Sequence, residues 1–138
     1  MSMKADDRLV FRLKDRLGYV DGSWFGDADL ASVRADTVFL NLENSEVSDF
    51  GIAKLPDMPV LRCIDLDGTW VTDASMKRLA TFRSLEEIWI EGTLVSDRGL
   101  DFLQSLKSLK FISVLDCERI SNEAVSSLQA ANPGIEVH

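Results

Sequence analysis

Apolar residues recur every 24 positions along most of this chain, and no other feature constrains its fold as strongly. Leu61, Leu85 and Leu109 begin three successive units at this spacing. Five further apolar columns keep nearly the same step: Leu40, Ile64, Ile88, Ile112; Leu42, Leu66, Ile90, Val114; Val47, Val71, Val95, Ile120; Ile52, Met76, Leu100, Val125; and Leu55, Leu79, Leu103, Leu128. A fixed period in the range of about 20–50 residues is typical of repeat architectures.

The apolar period changes inside each unit, and this change predicts the local structure. The unit begins with an alternating pattern, as in Leu85 to Ile90, which indicates a short strand with one buried side. A turn with Gly68 or Gly92 follows, where a residue without a Cβ adopts unusual backbone angles easily. Apolar residues then recur at three or four positions, as Met76 and Leu79 do, which is typical of a helix.

Stacking one strand and one helix per unit predicts an α/β right-handed solenoid with a concave parallel β-sheet and convex helices. We expect a single domain over residues 1–138, with strands near 39–43, 63–67, 87–91 and 111–115 and helices that begin near 49, 73, 97 and 122. The predicted repeats are 37–60, 61–84, 85–108 and 109–138. A degenerate repeat, 18–36, is expected before them, because DGSWFGDADL nearly copies DGTWVTDASM and so matches Val20 to Leu66. Ile135 and Val137 are expected in a final short strand.

The segment that precedes the repeats has a pattern of its own. Leu9, Leu13 and Leu17 are four residues apart, which predicts an amphipathic helix from Ala5 to Leu17 that ends at Gly18. The open end of a solenoid has to be covered, so residues 1–17 are expected to form an N-terminal helical cap. The alternative is a basic helix on a membrane surface. Interspersed acids and the net charge of −8 argue against it.

The unit LEEIWIEGTLVSDRGLDFLQSLKS resembles the leucine-rich repeat family, whose strand motif is L-x-x-L-x-L. Its G-T-x-V-[ST]-D continuation is similar to units common in bacterial leucine-rich repeat proteins. The last unit, LKFISVLDCERISNEAV, is similar to the cysteine-containing subclass. The resemblance covers residues from about Gly18 onwards and implies a binding protein rather than an enzyme, although a fold does not name a partner.

The two cysteines and the N-terminal sequence favour a cytoplasmic protein. Residues 1–20 contain no apolar run of the length of a signal peptide or a membrane span. Cys63 and Cys117 lie two units apart, or about 10 Å across parallel strands, which exceeds the reach of a disulfide. We therefore expect two free thiols, with Cys117 packed inward as a small turn residue. Paired Cys/His spacings for zinc are lacking in the sequence.

Acidic residues recur at one point of every unit, but they do not predict catalysis. Asp27, Asp49, Asp73 and Asp97, with Asn122 in the last unit, stand where helices are expected to begin. An Asp or Asn at this position accepts hydrogen bonds from free backbone N–H groups and so caps the helix. The residues just before them can share this role, namely Ser48, Thr72, Ser96 and Ser121. The single histidine, His138, has no partner for acid–base chemistry in this pattern. We expect no enzyme activity and no cofactor.

The strand residues between the buried columns are predicted to form an exposed concave face. They include six acids, no bases and several aromatic residues. The predicted partner-binding residues are Tyr19, Asp21, Phe39, Asn41, Glu43, Asp65, Asp67, Glu87, Trp89, Glu91 and Phe111. Asp21, Glu43, Asp67 and Glu91 are expected to form one column, although like charges on adjacent strands destabilise a sheet.

Three functions fit this pattern. A basic protein partner matches a face of acids and aromatic anchors, as in inhibitors and immunity proteins, whereas nucleic acid requires a basic surface. The alternatives are a scaffold or assembly factor that uses its helical face, or a Ca²⁺-dependent binding protein with Asp65, Asp67 and Glu91 as oxygen ligands. Acids that merely keep the surface soluble would explain the same composition.

Overall fold

The computed structural model describes residues 7–138, which form one parallel sheet with a helix after most of its strands. The strands are β1 Tyr19–Asp21, β2 Phe39–Asn41, β3 Cys63–Asp65, β4 Glu87–Trp89, β5 Phe111–Ser113 and β6 Glu136–Val137. The helices are α1 Leu9–Arg12, α2 Asp49–Ile52, α3 Asp73–Leu79, α4 Asp97–Leu103 and α5 Asn122–Ala131, and a 3₁₀ helix spans Asp27–Ser32. Sequential strands are neighbours in the order β1-β2-β3-β4-β5-β6.

This element order confirms the predicted alternation of strands and helices, and the pairing confirms the 24-residue register. Leu40 pairs with Ile64, and Ile64 with Ile88. Helices α2 to α5 begin at the four predicted positions. Strands β2 to β5 have three residues instead of the five expected. Hydrogen bonding nevertheless continues beyond them, since Leu42 N donates to Asp65 O at 2.8 Å and Asn44 N to Asp67 O at 2.8 Å.

A left-handed residue ends each of these ladders. Asn44, Gly68, Gly92 and Asp116 occupy equivalent positions and have φ values of 57°, 67°, 68° and 61°. Gly, Asn and Asp adopt this conformation more easily than other residues do. The predicted glycine turns are therefore confirmed, and Asn44 and Asp116 take the same role in the neighbouring repeats.

The predicted apolar columns form the core between the sheet and helices α2 to α5. Leu40, Ile64 and Ile88 are fully buried, as are Ile52 and Met76 on the helices. Three members from the last repeat, Val114, Ile120 and Val125, are only half-buried. A terminal repeat has a neighbour on one side only, so its apolar residues are less completely covered.

The register of the first repeat differs from the prediction. Val20 pairs with Leu40 and Asp21 with Asn41, so Asp21 lies in line with Asn41 and Asp65 rather than with Glu43. The side chains agree, since Oδ1 of Asp21, of Asn41 and of Asp65 each accepts a hydrogen bond from the N–H two residues later. The strand pairing shows that the turn after β1 is two residues shorter than the turn after β2. The similarity of DGSWFGDADL to DGTWVTDASM conceals this gap in the sequence.

The recurrent aspartates link neighbouring repeats instead of capping their own helices, so the capping prediction is wrong for the aspartates. It is confirmed for Ser48 and Ser121, whose hydroxyls accept from Phe50 N and Ala124 N. The N-cap residues are Ser48, Thr72, Ser96 and Ser121, and the first helical residue after them is an aspartate in α2 to α4 and Asn122 in α5. Each aspartate carboxylate accepts from the N-cap residue of the next repeat. For example, Asp73 accepts from Ser96 N at 2.7 Å and from Ser96 Oγ at 2.5 Å.

The N-terminal segment also differs from its predicted place. Helix α1 has only four residues, Leu17 is fully exposed, and the predicted start at Ala5 lies outside the described residues. Leu9 packs against Phe39 and Cys63 on the sheet face opposite α2 to α5, rather than against the open end of the first repeat. On this face Leu9 gains an apolar neighbour in Phe39, and the Arg8 guanidinium lies against the ring of Phe111.

Cys63 and Cys117 are buried, unpaired thiols. Cys117 packs inward as expected, and its Sγ donates to Ile90 O at 3.0 Å. Between residues 7 and 138, none of the helices combines the length and the hydropathy that crossing a membrane requires.

Candidate functional site

One face of the sheet carries all of the predicted binding residues. Side chains alternate along a strand, so Leu40 and Ile64 point to the helices while Phe39, Asn41 and Cys63 point to the opposite side. We call this opposite side the acidic face. It consists of the strand residues Tyr19, Asp21, Phe39, Asn41, Cys63, Asp65, Glu87, Trp89, Phe111 and Ser113 and of Glu43, Asp67, Glu91 and Leu115, which follow the strands.

The acidic face is less open than the sequence predicts. Of the predicted binding residues, only Asp21 and Glu43 are exposed. Half-buried ones are Tyr19, Asn41, Asp67, Trp89 and Glu91, and buried ones are Phe39, Asp65, Glu87 and Phe111. The N-terminal segment accounts for part of this burial, because Leu9 lies on Phe39 and Arg8 lies on Phe111. Alternation along the strand predicts which way a residue points but not what covers it.

Three carboxylates meet in the middle of this face. Single oxygens of Glu43, Asp65 and Asp67 all lie within 4.8 Å of one another. Burial, and then the charge of Asp67, raises the pKa of Asp65 to about 8. Burial also raises the pKa of Asp67 to about 7. The charges of Glu91 and Glu43 raise this pKa further, whereas the hydrogen bond from Glu91 N lowers it. The cluster therefore holds negative charge with difficulty, and a cation beside it would be stabilised.

Several acids of the face also bind neighbouring backbone or side-chain groups. Asp67 Oδ1 accepts from Glu91 N at 2.7 Å, and Glu91 Oε2 accepts from Ser113 Oγ at 2.5 Å. Glu43 accepts none of the hydrogen bonds found among residues 7–138, and it is exposed. The predicted column of Asp21, Glu43, Asp67 and Glu91 is thus broken at Asp21 by the register shift. Its other three members each lie two residues after the end of a strand, behind β2, β3 and β4.

The other end of the face is aromatic and is occupied by the chain itself. Trp89 and Phe111 have ring centroids 5.0 Å apart, and the Arg8 guanidinium lies 4.5 Å from the centroid of Phe111. Beside them, Glu87 accepts hydrogen bonds from Leu9 N at 2.6 Å and from Trp89 Nε1 at 2.7 Å. A cationic side chain and backbone N–H groups therefore already sit where the sequence predicts a basic partner.

The carboxylate cluster has the chemistry of a divalent-cation site. Hard cations such as Ca²⁺ prefer several oxygen ligands, and Glu43, Asp65 and Asp67 offer three. The predicted ligands were Asp65, Asp67 and Glu91. Glu43 takes the place of Glu91 in this cluster, and one Glu91 carboxylate oxygen accepts the Ser113 hydroxyl.

Several apolar side chains are exposed, and the sequence analysis did not predict this feature. Trp24, Phe50 and Trp70 are 74%, 79% and 67% exposed, and none of them belongs to the acidic face. Trp24 and Trp70 each stand three residues before the aspartate that begins the next helical segment. The signal was present in the phrases DGSW and DGTW, where a tryptophan recurs at a position outside the buried columns.

Comparison with known proteins supports the fold but does not identify the function. None of the known family models matches the sequence, and none of the curated proteins does. Among solved structures, 43 chains match, and one of these is the leiomodin-1 actin-binding site 2 (ABS2). Its TM-score is 0.61 at 11% sequence identity, over 81% of this chain and 76% of that chain. Similarity at this identity shows the fold alone, and that fold is leucine-rich-repeat-like.

Proposed function

We propose that this chain is a non-catalytic, cytoplasmic protein-interaction module, a right-handed leucine-rich repeat solenoid whose acidic face binds a basic protein partner. The observation that carries the proposal is the cluster of Glu43, Asp65 and Asp67. Three carboxylates lie within 4.8 Å of one another, and none of them pairs with a lysine or arginine among residues 7–138.

Folding gives no reason to assemble such a cluster. Like charges on adjacent strands destabilise a sheet by up to about 1 kcal/mol per pair, and burial of Asp65 adds the loss of hydration. Asn41 occupies the position equivalent to Asp65 and accepts the same type of hydrogen bond without a charge. A neutral residue would therefore serve the fold, which leaves binding as the reason for the carboxylate.

The aromatic end of the face supports a protein as the partner. Aromatic side chains are enriched at the centres of protein interfaces, and Trp89 and Tyr19 are half-buried beside the acids. Phosphate backbones of nucleic acids require a basic surface, which this face does not offer. The similar solved structure is, by its name, an actin-binding site, and binding of a protein by this chain agrees with that use of the fold.

A second candidate function is binding of Ca²⁺ by the same cluster. Glu43, Asp65 and Asp67 would supply three oxygen ligands, with water completing the shell. Because the raised pKa of Asp65 reflects repulsion and burial, a bound cation would stabilise the folded protein at neutral pH. Thermal unfolding with and without 1 mM Ca²⁺, compared with Asp65→Asn, distinguishes this function from capture of a basic protein.

The experiment for the first candidate uses charge reversal at exposed positions. Affinity capture from the native cytoplasm, followed by mass spectrometry, is done with the wild type and with Asp21→Lys/Glu43→Lys. We expect a basic protein to be retained by the wild type and lost from the double variant. Asp57→Lys/Asp101→Lys is the matched control, because both positions are exposed and neither belongs to the acidic face.

Purified partner then allows the affinity to be measured. Attraction between opposite charges predicts a strong fall in the association rate constant as salt increases, because screening shortens the range of the charges. A captured protein that binds the charge-reversed variant and the wild type equally at low salt would contradict the proposal. The acids would then serve solubility, and the helical face would become the candidate for a scaffold or assembly role.

A further inference from the structure

The N-terminal segment is held on the acidic face by a buried carboxylate. Glu87 is 1% exposed. It accepts hydrogen bonds from Leu9 N at 2.6 Å, from Val10 N at 3.1 Å and from Trp89 Nε1 at 2.7 Å. Two of the three donors thus come from a segment that lies outside the repeats. A buried carboxylate needs such donors, so Glu87 is an acceptor for the backbone of whatever lies on this part of the sheet.

Beside Glu87, aromatic and acidic side chains surround the guanidinium of Arg8. The guanidinium lies 4.5 Å from the ring centroid of Phe111 and 5.9 Å from that of Trp89. Its Nη2 lies 3.6 Å from Glu136 Oε2, and the Arg8 side chain is 12% exposed. Stacking on aromatic rings next to a carboxylate is a mode of recognition that suits arginine better than lysine.

The next residue fills an apolar position. Leu9 is 5% exposed and packs against Phe39 and Cys63. The acceptor for backbone N–H groups, the position that holds the guanidinium and the position that holds an aliphatic side chain lie side by side. Together they form a site that fits the sequence Arg-Leu-Val. We call this site the arginine seat, and it consists of Phe39, Cys63, Glu87, Trp89, Phe111 and Glu136.

Outside the arginine seat, Arg8 Nη2 lies 3.2 Å from His138 Nε2, and the segment has few other attachments. Helix α1 ends after four residues, and Phe11 and Leu17 are 59% and 100% exposed. Among residues 7–138, the buried Nε of Arg8 has no hydrogen-bond partner. Short helices with few buried contacts open more readily than a packed core.

We propose that the arginine seat is the recognition site for an arginine–aliphatic segment of the basic partner, and that Arg8-Leu9-Val10 occupies it as an intramolecular competitor. The inference rests on the proposed function and adds to it the chemistry of the partner and the regulation of its access. A partner segment binds only when residues 8–10 leave, so the free protein is autoinhibited. The apparent affinity for a partner is reduced by the fraction of molecules in which the seat is open.

The test supplies the competing segment as a separate molecule. The probe is a synthetic peptide of residues 7–17, DRLVFRLKDRL, with blocked ends. It is titrated into ¹⁵N-labelled full-length wild type and into Arg8→Glu/Leu9→Asp, in which two carboxylates next to Glu87 and Glu136 expel the chain's own segment. The indole Nε1–H signal of Trp89 reports on the seat because it is bonded to Glu87.

We expect the double variant to bind the peptide at least about ten-fold more tightly than the wild type, because its seat is open. A control peptide with Glu in place of the first arginine should not bind. Adding Glu87→Ala to the double variant should abolish binding of the unchanged peptide. Arg8→Glu alone is a second variant, and its expected affinity lies between those of the wild type and the double variant.

Two results would overturn the inference: no binding of the peptide to the well-folded double variant, or equal affinities for wild type and double variant. Either result leaves the proposed function standing, because that function is tested at Asp21 and Glu43, outside the arginine seat. Conversely, loss of the proposed function would show as unchanged capture by Asp21→Lys/Glu43→Lys, which the peptide titration does not measure.

Discussion

At the scale of single residues, Asp65 is a position where the stability of the fold and the proposed function favour different residues. Asp65 is 3% exposed and lies beside Asp67, and burial together with the charge of Asp67 raises the pKa of Asp65 to about 8. Asn41, one strand away, makes the equivalent bond to the N–H two residues later without any charge. With this pKa the Asp65 carboxyl is largely protonated at neutral pH, and a cation beside it would favour the negative form at the centre of the acidic face.

Asp65→Asn should remove a pH dependence of stability. The folded pKa of about 8 lies above the ordinary value of 3.8, so in this window the folded state binds more protons than the unfolded state. The contribution of Asp65 is then fully present below pH about 4 and is lost as the pH rises through 8. Urea unfolding at pH 5 and pH 8 should show a smaller difference in Asp65→Asn than in the wild type.

Asp101→Asn is the matched control for this measurement, since Asp101 is exposed on α4. It should retain the pH dependence of the wild type. An Asp65→Asn protein that loses as much stability between pH 5 and pH 8 as the wild type would show that Asp65 is ionised throughout this range.

At the scale of elements, the aspartate that begins each helix connects one repeat to the next. Asp49 accepts from Thr72 N at 2.9 Å, from Thr72 Oγ1 at 2.6 Å and from Ser75 Oγ at 2.5 Å. Burial alone would raise the pKa of Asp49, but the hydrogen bonds from Ser75 and Thr72 outweigh it and lower the pKa. These bonds hold the starts of helices α2 and α3 at a fixed distance.

Asp49→Ala should destabilise the protein by more than the loss of a surface charge would. Hydrogen bonds to a charged acceptor are worth about 1.5–3 kcal/mol each in favourable cases, and the donors of Thr72 and Ser75 would lose their partner. We expect a loss of about 2–4 kcal/mol in the free energy of unfolding by urea. Asp57→Ala, an exposed aspartate between α2 and β3, is the control, and equal effects of both substitutions would contradict the inter-repeat role.

The sequence predicted these elements well because their determinants are local and periodic. A 24-residue spacing of buried residues requires parallel pairing in register, and the starts of α2 to α5 follow from it. The role of Asp49 was not predictable from position alone, since a carboxylate at the first turn satisfies the rule for a cap whether it binds its own helix or the next. The register of β1 was mispredicted because the missing residues lie in the turn after β1. The sequence on both sides of that turn matches DGTWVTDASM closely enough to hide the gap.

At the scale of the whole molecule, the main departure from prediction is where the N-terminal segment lies. Its amphipathic pattern predicted a buried side with Leu9, Leu13 and Leu17, of which Leu9 is buried, Leu13 is half-buried and Leu17 is exposed. Such a pattern also does not specify which surface the buried side contacts. Both the acidic face and the open end of the first repeat were available. Charge as well as hydrophobicity determines where the segment lies, since Arg8 lies among aromatic rings and near Glu136.

This placement changes how the predicted binding residues are understood. Phe39, Glu87 and Phe111 are buried and contact the chain's own segment, whereas Asp21 and Glu43 remain exposed beside it. The acidic face thus has an open acidic part and an occupied arginine seat. A face that already holds an Arg-Leu-Val segment is suited to hold a similar segment from another protein.

The central claim is that the acidic face holds a cationic segment through Glu87, and amide hydrogen exchange tests it most directly. The N–H groups of Leu9 and Val10 belong to the first turn of α1 and have no acceptor within that helix. Glu87 is their acceptor. In the wild type both amides should exchange at least about ten-fold more slowly than in an unstructured chain, and Glu87→Ala should abolish this protection while β3 and β4 stay protected. Leu9 and Val10 amides that exchange at the unstructured rate in the wild type, with β3 and β4 protected, would contradict the claim.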